Sequence, residues 1–337
     1  MAREDSDFAL RTLGGFRLSR AVWLAARLRL ADLVGDAPAS VRDIAAASNT
    51  DADALERLMR ALAASGVFRR EDDGRFGQTP TSDLLRSDHP RSQRAWLECV
   101  LGGEMFEAWG AIESGVRTGR PAFDTRHGVS WVEYYRRHED AAALFADAMS
   151  ATTHAFEDAL MAVDPFPRFS LAVDVGGSQG SLLRRLMQRD GAARGVLFDL
   201  PDVIERWRGE HHDDLDGRLT TAAGDFFENV PSGGDLYLLK FVLHDWDDER
   251  ALTILRHVRE AVAPGGRIAI VETVLPDTPA EHPGWLFDLN MLVVTGGRER
   301  TAREFTTLLD HAGCAVERTT PSDSPLSVIL TEPVMGT

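Results

Sequence analysis

Residues 171–199, which read LAVDVGGSQGSLLRRLMQRDGAARGVLFD, decide the fold of this chain. The stretch begins with an apolar segment around Asp174 and continues through a glycine-rich turn at 176–180. Apolar residues then recur at helical spacing over 182–187, and a second apolar segment at 195–198 ends in an aspartate. The pattern predicts a strand, a tight turn, an amphipathic helix and a second strand, as in α/β proteins.

The glycine-rich turn and Asp199 together indicate a nucleoside site. Glycine has no Cβ, so the backbone amides of the turn and the following helix N-terminus can approach a ligand closely. A carboxylate at the end of the second strand can bind both hydroxyls of a ribose. The dinucleotide fingerprint needs glycine at i, i+2 and i+5, which neither Gly176 nor Gly177 satisfies as first glycine, so NAD fits poorly. The pattern acid-x-Gly-x-Gly-x-Gly fits better, with Ser178 as the middle residue.

Two motifs farther along the chain make this pattern specific. Gly224-Asp225-Phe226-Phe227 follows a short apolar segment, and residues 235–248 (DLYLLKFVLHDWDD) run from an apolar strand into a polar segment. With the glycine turn, they resemble the S-adenosylmethionine (AdoMet)-dependent O-methyltransferases typified by plant caffeic acid O-methyltransferase and animal acetylserotonin O-methyltransferase. The resemblance continues through residues 264–272, 288–292 and 296–301, and it covers essentially the whole chain.

The resemblance implies an α/β fold with a Rossmann-like class I methyltransferase domain over residues 166–337, built on a mostly parallel seven-stranded sheet. It implies an N-terminal, mainly α-helical dimerisation domain of winged-helix type over 1–100. Residues 101–165 are predicted to form a helical connecting region that lines the substrate site. Since relatives have a glycine where Ser178 stands, a positive φ there would strain the serine. We expect Ser178 to adopt an ordinary backbone conformation.

The N-terminal region also shows a winged helix-turn-helix pattern. Helices are predicted over 40–47 and 51–65, with short strands at 67–70 and 75–78. Such a pattern can read DNA, but the net charge is −16 and residues 1–100 hold 15 basic against 15 acidic side chains. Phosphate binding needs a basic face, so we predict no nucleic-acid partner.

A homodimer is predicted instead. Apolar residues cover too much of a predicted helix at 16–33 for one narrow core-facing stripe. In relatives this helix is exchanged between subunits and closes the partner's active site. An ordinary core helix of a single subunit is the alternative.

Composition agrees with a soluble cytoplasmic enzyme. A chain of 337 residues with 44% hydrophobic residues can bury a large core and form two domains. No apolar run approaches the ~20 residues of a membrane span, and no signal peptide opens the chain. The two cysteines, Cys99 and Cys314, are predicted to be reduced core residues.

His244 is predicted to be a general base. AdoMet carries its methyl group on a cationic sulfur, so the difficulty lies in the acceptor, since a phenol of pKa about 10 is mostly protonated at neutral pH. A histidine of unperturbed pKa about 6.5 within hydrogen-bond reach can remove that proton. The resemblance implies that Glu272 and Glu299 flank and orient the ring. For Glu299 a surface pair with a neighbouring arginine is the alternative, and Asp245 is predicted to cap the next helix or shape the turn.

The resemblance also assigns the nucleoside contacts. It places Gly176 at the methionine moiety, Asp199 at the ribose, and Asp225 with Phe226 at the adenine. The resemblance also places Lys240 beside the adenine. It is the only lysine of the chain, and a compact ammonium cannot be exchanged freely for a planar guanidinium. Chance survival of this lysine is the alternative.

The substrate contacts follow from the same resemblance. Phe145, Met149 and Met291 match residues that hold the aromatic acceptor, and thioethers adapt well to flat rings. Plain core packing is the alternative for Phe145 and Met149. The run His211-His212-Asp213-Asp214 contains metal-ligand types, but adjacent side chains cannot all converge on one ion. We predict a solvated turn there and no metal in the reaction.

The sequence thus predicts an AdoMet-dependent O-methyltransferase of bacterial secondary metabolism that acts on an aromatic hydroxyl. Three alternatives stay open. One is non-methylating chemistry on the same scaffold, such as hydroxylation, decarboxylation or a pericyclic reaction. The others are N-methyl transfer and a winged-helix regulator that senses a nucleoside.

Overall fold

The computed structural model describes residues 2–209, 215–278 and 280–334, and the chain divides into two compact units. Unit 1 comprises Met1–Glu107 with Tyr135–Thr152, and unit 2 comprises Ala108–Tyr134 with Thr153–Thr337. The helices of the predicted connecting region are therefore shared between the two units. The domain boundaries at 100 and 165 stay predictions, and the solvated turn predicted at 211–214 lies outside the described residues.

The helices and strands of the described residues follow in chain order. They are α1 (Ala2–Arg27), α2 (Leu30–Val34), α3 (Val41–Ser48), α4 (Ala52–Ala64), β1 (Arg69–Arg70), β2 (Phe76–Gly77), α5 (Pro80–Asp83), α6 (Arg94–Val100), α7 (Gly103–Gly110), α8 (Ile112–Thr118), α9 (Ala122–His127), α10 (Trp131–Arg137), α11 (Glu139–Val163), β3 (Leu171–Val175), α12 (Ser181–Arg189), β4 (Arg194–Asp199), α13 (Pro201–Gly209), β5 (Leu219–Ala223), β6 (Leu236–Lys240), α14 (Asp248–Ala261), β7 (Arg267–Leu275), α15 (Gly284–Val294), β8 (Arg300–Thr301), α16 (Ala302–Ala312), β9 (Cys314–Pro321) and β10 (Leu326–Pro333). A single 3₁₀ turn, Leu243–Asp245, lies between β6 and α14. Among the described residues, no helix combines the length and the hydropathy that a membrane crossing requires.

Unit 1 confirms the predicted winged-helix pattern. Helices α3 and α4 begin after Ser40 and Asp51, whose side chains accept hydrogen bonds from the first-turn amides of Asp43 and Ala54. These caps satisfy donors that the helix itself leaves unpaired. Strands β1 and β2 then pair antiparallel as the predicted hairpin.

The single helix predicted over 16–33 is wrong. Helix α1 ends at Arg27, α2 begins at Leu30, and Arg29 between them has a left-handed backbone with φ of 52°. The reversal turns α2 so that Leu30 and Val34 are buried in the core of unit 1. The sequence has no glycine or proline at this break. The left-handed conformation of Arg29 instead accompanies the burial of α2 in the core of unit 1.

Unit 2 contains the predicted sheet. Its strand order is β5-β4-β3-β6-β7-β10-β9, and the two-residue β8 pairs with β7 off this path. The first five strands are parallel, whereas β10 runs antiparallel to both β7 and β9. The predicted mostly parallel seven-stranded sheet is therefore confirmed, with β8 as a short addition.

The sheet of unit 2 is covered on both faces. Alternate side chains of a strand point to opposite faces. Val173 and Val175 pack in a cluster with helices α14 and α16, whereas Ala172 packs with α12 in a second cluster. Burial on both sides explains why the parallel strands read as nearly continuous apolar runs.

Candidate active site

The predicted nucleoside residues lie at the carboxyl ends of adjacent parallel strands. Gly176 directly follows β3, Asp199 ends β4, Asp225 lies just beyond β5, and Lys240 ends β6. Because these strands are parallel neighbours, their carboxyl ends share one edge of the sheet. Open α/β sheets bind ligands at this edge.

The glycine turn after β3 brings the backbone close to Asp174 and β4. A Cβ on Gly177 would lie 2.5 Å from Leu197 Cδ1 and 2.6 Å from Asp174 Cγ, so that position requires glycine. Ser178 has a φ of 51°, and the ordinary conformation predicted for it is wrong. Its N–H donates to Asp199 Oδ2 at 2.8 Å. A left-handed backbone at a residue other than glycine costs about 1–2 kcal/mol of folding free energy. The hydrogen bond from the Ser178 N–H to the Asp199 carboxylate is strong enough to offset this cost.

The carboxylate of Asp199 is fixed by two backbone amides. Oδ2 accepts the N–H of Ser178, and Oδ1 accepts the N–H of Leu200, each at 2.8 Å. Burial raises the pKa of Asp199, and these two N–H groups oppose that rise. A carboxylate has about four lone-pair sites, so two stay available for further donors. The geometry fits the paired hydroxyls of a ribose.

Phe226 lies beside the same turn. Its ring is 3.6 Å from the position of a Cβ on Gly176, and it packs edge-on against Trp246 with 6.1 Å between the ring centroids. Asp225 accepts the N–H of Phe227 at 2.8 Å through Oδ1, which shapes the loop after β5. The structure thus brings Gly176 and Phe226 together, and their contacts with the nucleoside stay a prediction.

Lys240 lies in a buried ionic cluster next to the glycine turn. Its Nζ is 3.6 Å from Glu157 Oε1, and this oxygen also accepts a hydrogen bond from Ser181 Oγ at 2.7 Å. Burial lowers the pKa of Lys240, while Glu157 and Asp174 act against this. Burial raises the pKa of Asp174 to about 7. The assignment of Lys240 to the adenine stays a prediction. Glu157 was not predicted to take part in the site, since it lies on α11, far from Lys240 in sequence.

His244 lies in the 3₁₀ turn directly after β6, between three carboxylates. Its Nδ1 is 2.9 Å from Glu299 Oε1 and 3.6 Å from Glu272 Oε2, and its Nε2 is 3.8 Å from Asp245 Oδ1. Glu299 is only 3% exposed, so the alternative of a surface pair with an arginine is wrong. The structure therefore brings together the three residues that were predicted to be catalytic.

Glu272 acts on the turn as well as on the ring. Its Oε1 accepts the backbone N–H groups of Val242 at 3.1 Å and Leu243 at 2.9 Å. Asp245 does not cap the next helix, contrary to one prediction, because Asp247 accepts the N–H of Arg250 at 2.9 Å and takes that role. Asp245 instead faces the other side of the imidazole.

The electrostatics of the site favour a charged ring. Burial lowers the pKa of His244, but the carboxylates of Glu272, Asp245 and Glu299 outweigh burial and raise it to about 10. Burial raises the pKa of Glu272 to about 7. Because Nδ1 bonds to Glu299, Nε2 is the nitrogen that can exchange a proton with a substrate.

The same three side chains also form a set of metal-ligand types. One ligand atom each from His244, Glu272 and Glu299 lies within 4.8 Å of the others. Imidazole with carboxylates can bind divalent ions. Here His244 Nδ1 bonds to Glu299, and Glu272 accepts backbone N–H groups of the turn. These contacts fit a histidine that is oriented for proton transfer. The absence of a metal from the reaction stays a prediction.

The predicted substrate residues fall in different units. Phe145 and Met149 lie on α11 within unit 1, where Phe145 stacks on Tyr135 with 4.7 Å between the ring centroids. Met291 is buried on α15 of unit 2. Their joint contact with an acceptor stays a prediction.

Comparison with known families identifies the class of this protein. Residues 109–315 match the O-methyltransferase domain, and residues 10–88 match the O-methyltransferase dimerisation domain. The chain belongs to the O-methyltransferase family, and it is an AdoMet-dependent O-methyltransferase as the sequence predicted.

Several characterised relatives are similar over nearly their whole length. Phenazine O-methyltransferase PhzM of Lysobacter antibioticus is 38% identical over 331 residues, which cover 98% of this chain and 96% of the relative. O-demethylpuromycin-O-methyltransferase of Streptomyces alboniger is 38% identical over 335 residues, covering 95% and 87%. Phenazine-1-carboxylate N-methyltransferase of Pseudomonas aeruginosa is 34% identical over 303 residues, covering 89% of each chain.

Solved structures share the fold. The crystal structure of LaPhzM superposes with a TM-score of 0.92 at 37% identity, covering 97% of this chain and 99% of that one. CalO1, a methyltransferase of calicheamicin biosynthesis in its SAH-bound form, superposes with a TM-score of 0.86 at 32% identity, covering 99% of both. The predicted family and fold class are confirmed.

Proposed function

We propose that this protein transfers the methyl group of AdoMet to an aromatic hydroxyl of a secondary metabolite, with His244 as general base. The observation that carries this proposal is the 2.9 Å contact between His244 Nδ1 and a buried Glu299, at the ligand-binding edge of the sheet. A histidine with one nitrogen bonded to a carboxylate can take up a proton at the other.

Each residue of the site has its own role in the proposed reaction. Bound AdoMet supplies an activated methyl group on a cationic sulfur. Asp199 holds the ribose, and the glycine turn leaves room for the backbone to approach the cofactor. Nε2 of His244 takes the proton of the acceptor hydroxyl, Glu299 fixes Nδ1, and Glu272 stabilises the resulting imidazolium. Phe145, Met149 and Met291 hold the acceptor ring.

An aromatic acceptor is favoured by the relatives. Two of them are named for methyl transfer to an oxygen of phenazine or O-demethylpuromycin, both of which contain aromatic rings. The second candidate function is N-methyl transfer, because one relative is a phenazine-1-carboxylate N-methyltransferase. His244 favours oxygen as the acceptor, since a neutral amine is already nucleophilic and needs no base before attack.

A screen with matched acceptors tests the proposal. Purified protein with AdoMet is offered pairs of aromatic compounds that differ only in a hydroxyl or an amino group at one position. We expect mass spectrometry to show addition of one CH₂ to the hydroxyl member of a pair. Methylation confined to the amines would favour the second candidate, and conversion of an acceptor without added CH₂ would contradict methyl transfer. A cytoplasmic location stays a prediction of the sequence.

The functional assembly is proposed to be a homodimer. Helix α1 exposes Phe8 by 67%, Leu10 by 67%, Leu13 by 49% and Phe16 by 57%. Exposed apolar side chains clustered this way indicate a protein partner. Most of α1 falls within the part of the chain that matches a dimerisation domain, so a second copy of the chain is the expected partner.

Charge on α1 should separate the subunits. We expect the double variant Leu13→Glu with Phe16→Glu to be a monomer at micromolar concentration, because two carboxylates would be buried without partners in the dimer. Light scattering gives the mass. The matched control is Val334→Glu, which changes a residue that is 56% exposed outside the dimerisation region and should leave a dimer. A dimeric double variant would contradict the role of α1.

A further inference from the structure

Arg300 is a buried cation that the sequence analysis did not single out. It is 1% exposed, and it follows Glu299 in the segment 296–301. A buried charge is costly unless it is paired and fully hydrogen-bonded. The partners of the Arg300 guanidinium therefore indicate which part of the structure it stabilises.

The guanidinium of Arg300 holds both ends of the turn that carries His244. Nη1 donates to the carbonyl of Leu243 at 2.9 Å, and Nη2 donates to the carbonyl of Trp246 at 2.9 Å. Nε and Nη2 also donate to Asp248 Oδ1 at 2.9 and 2.8 Å. The acceptors thus lie before and after His244 in the chain. A rigid planar fork can serve all of them at once, which an ammonium cannot.

The segment before Arg300 holds the same turn from another side. The N–H of Arg298 donates to the carbonyl of His244 at 2.8 Å. A Cβ on Gly297 would lie 2.0 Å from that carbonyl oxygen, so glycine is needed for this close approach. Glu299 of the same segment contacts the ring itself at 2.9 Å. Residues 297–300 therefore fix the backbone and the imidazole of His244 together.

We propose that Arg300 is a positioning residue for methyl transfer, which sets the orientation of His244 by binding the carbonyls of Leu243 and Trp246. This inference rests on the proposed role of His244 as the base. Arg300 touches neither the ring nor the nucleoside residues at the ends of β3 and β4. Its hydrogen bonds go to the turn and to Asp248, and its charge, which also acts on Glu272, is kept in a lysine variant.

The substitution Arg300→Lys tests the proposal, because it keeps the charge and removes the fork. We expect kcat to fall about 10²-fold, the loss that a 1 Å misplacement of a reacting group can cause. Calorimetry should show unchanged affinity for S-adenosylhomocysteine. The matched control is Arg303→Lys, which changes an exposed arginine on α16 outside the segment 297–300 and should leave kcat unchanged.

The pH dependence separates positioning from a structural role. The carboxylates around His244 raise its pKa, so a ring that turns away from Glu299 should titrate at lower pH. The acidic limb of the kcat profile should therefore move to lower pH in Arg300→Lys, and the NMR titration of the His244 ring should move with it. A variant that loses only stability would show a lower Tm and an unmoved profile, and that result would overturn the proposal.

A double variant distinguishes this inference from the proposed base. If Arg300 acts through His244, then Arg300→Lys should cost nothing further in a His244→Gln background. Additive losses would overturn the positioning role and leave the base intact. Parental activity of the single variant His244→Gln would instead contradict the role of His244 as general base.

Gly297→Ala gives a second perturbation if Arg300→Lys does not fold. Its added methyl displaces the same turn through the carbonyl of His244, and it too should lower kcat and move the acidic limb. An unchanged profile in a folded Gly297→Ala variant would contradict the inference.

Discussion

Replacing His244 with glutamine should lower kcat by about 10²–10⁴-fold, the usual contribution of a positioned general base. Affinity for S-adenosylhomocysteine should stay nearly unchanged, because the ring contacts Glu299 and Glu272 and not the carboxylate of Asp199. Glutamine keeps a polar side chain of similar length but cannot accept a proton. Steady-state kinetics and calorimetry together give both quantities.

The pH dependence sharpens this expectation. The pKa of His244 is raised to about 10, and only the neutral ring can accept a proton. The parental rate should therefore rise with pH through the neutral and alkaline range. The loss in the glutamine variant should shrink toward high pH, because a phenol of pKa about 10 then ionises without help.

Glu299→Gln serves as the graded comparison. It removes one of the carboxylates that raise the pKa of His244, so the acidic limb of the profile should move to lower pH. The loss of kcat should be smaller than for His244→Gln, because Glu272 and the backbone contacts still hold the turn. Parental rates for His244→Gln near neutral pH would contradict the role of His244 as base and favour a protein that only positions its substrate.

Sequence alone predicted the features whose causes are local. The strands predicted from the apolar segments at 171–175 and 195–198 correspond to β3 and β4, since the apolar runs and the glycine turn between them are both visible in the sequence. Helices α3 and α4 were predicted to within a residue or two, because Ser40 and Asp51 are local caps.

The features that the sequence did not predict depend on contacts between distant residues. Arg29 becomes left-handed because α2 must reach the core, and Ser178 becomes left-handed where its amide bonds to Asp199, 21 positions along the chain. Asp245 and Asp247 are equally good caps by residue type, and in the structure Asp247 takes that role. Arg300 gives no local signal, since its partners at 243–248 lie far from it in sequence.

Asp199→Asn should weaken binding of AdoMet and S-adenosylhomocysteine by about 1.5–3 kcal/mol, the value of a charge-assisted hydrogen bond. This corresponds to a rise in Kd of about 10- to 150-fold. The native carboxylate accepts N–H groups from Ser178 and Leu200 through its two oxygens. An asparagine must present its NH₂ group to one of these donors, so either orientation loses a bond to the turn.

Two comparisons assign the effect to the ribose. Glu205→Gln removes an exposed carboxylate on α13 and should leave Kd unchanged, because its side chain is exposed to solvent. Inhibition by adenosine, which keeps the ribose, should weaken in Asp199→Asn as much as binding of S-adenosylhomocysteine does. Inhibition by 2′,3′-dideoxyadenosine should change little, since it has no hydroxyls for the carboxylate to accept. An equal loss for both nucleosides would mean that Asp199 only supports the turn through Ser178.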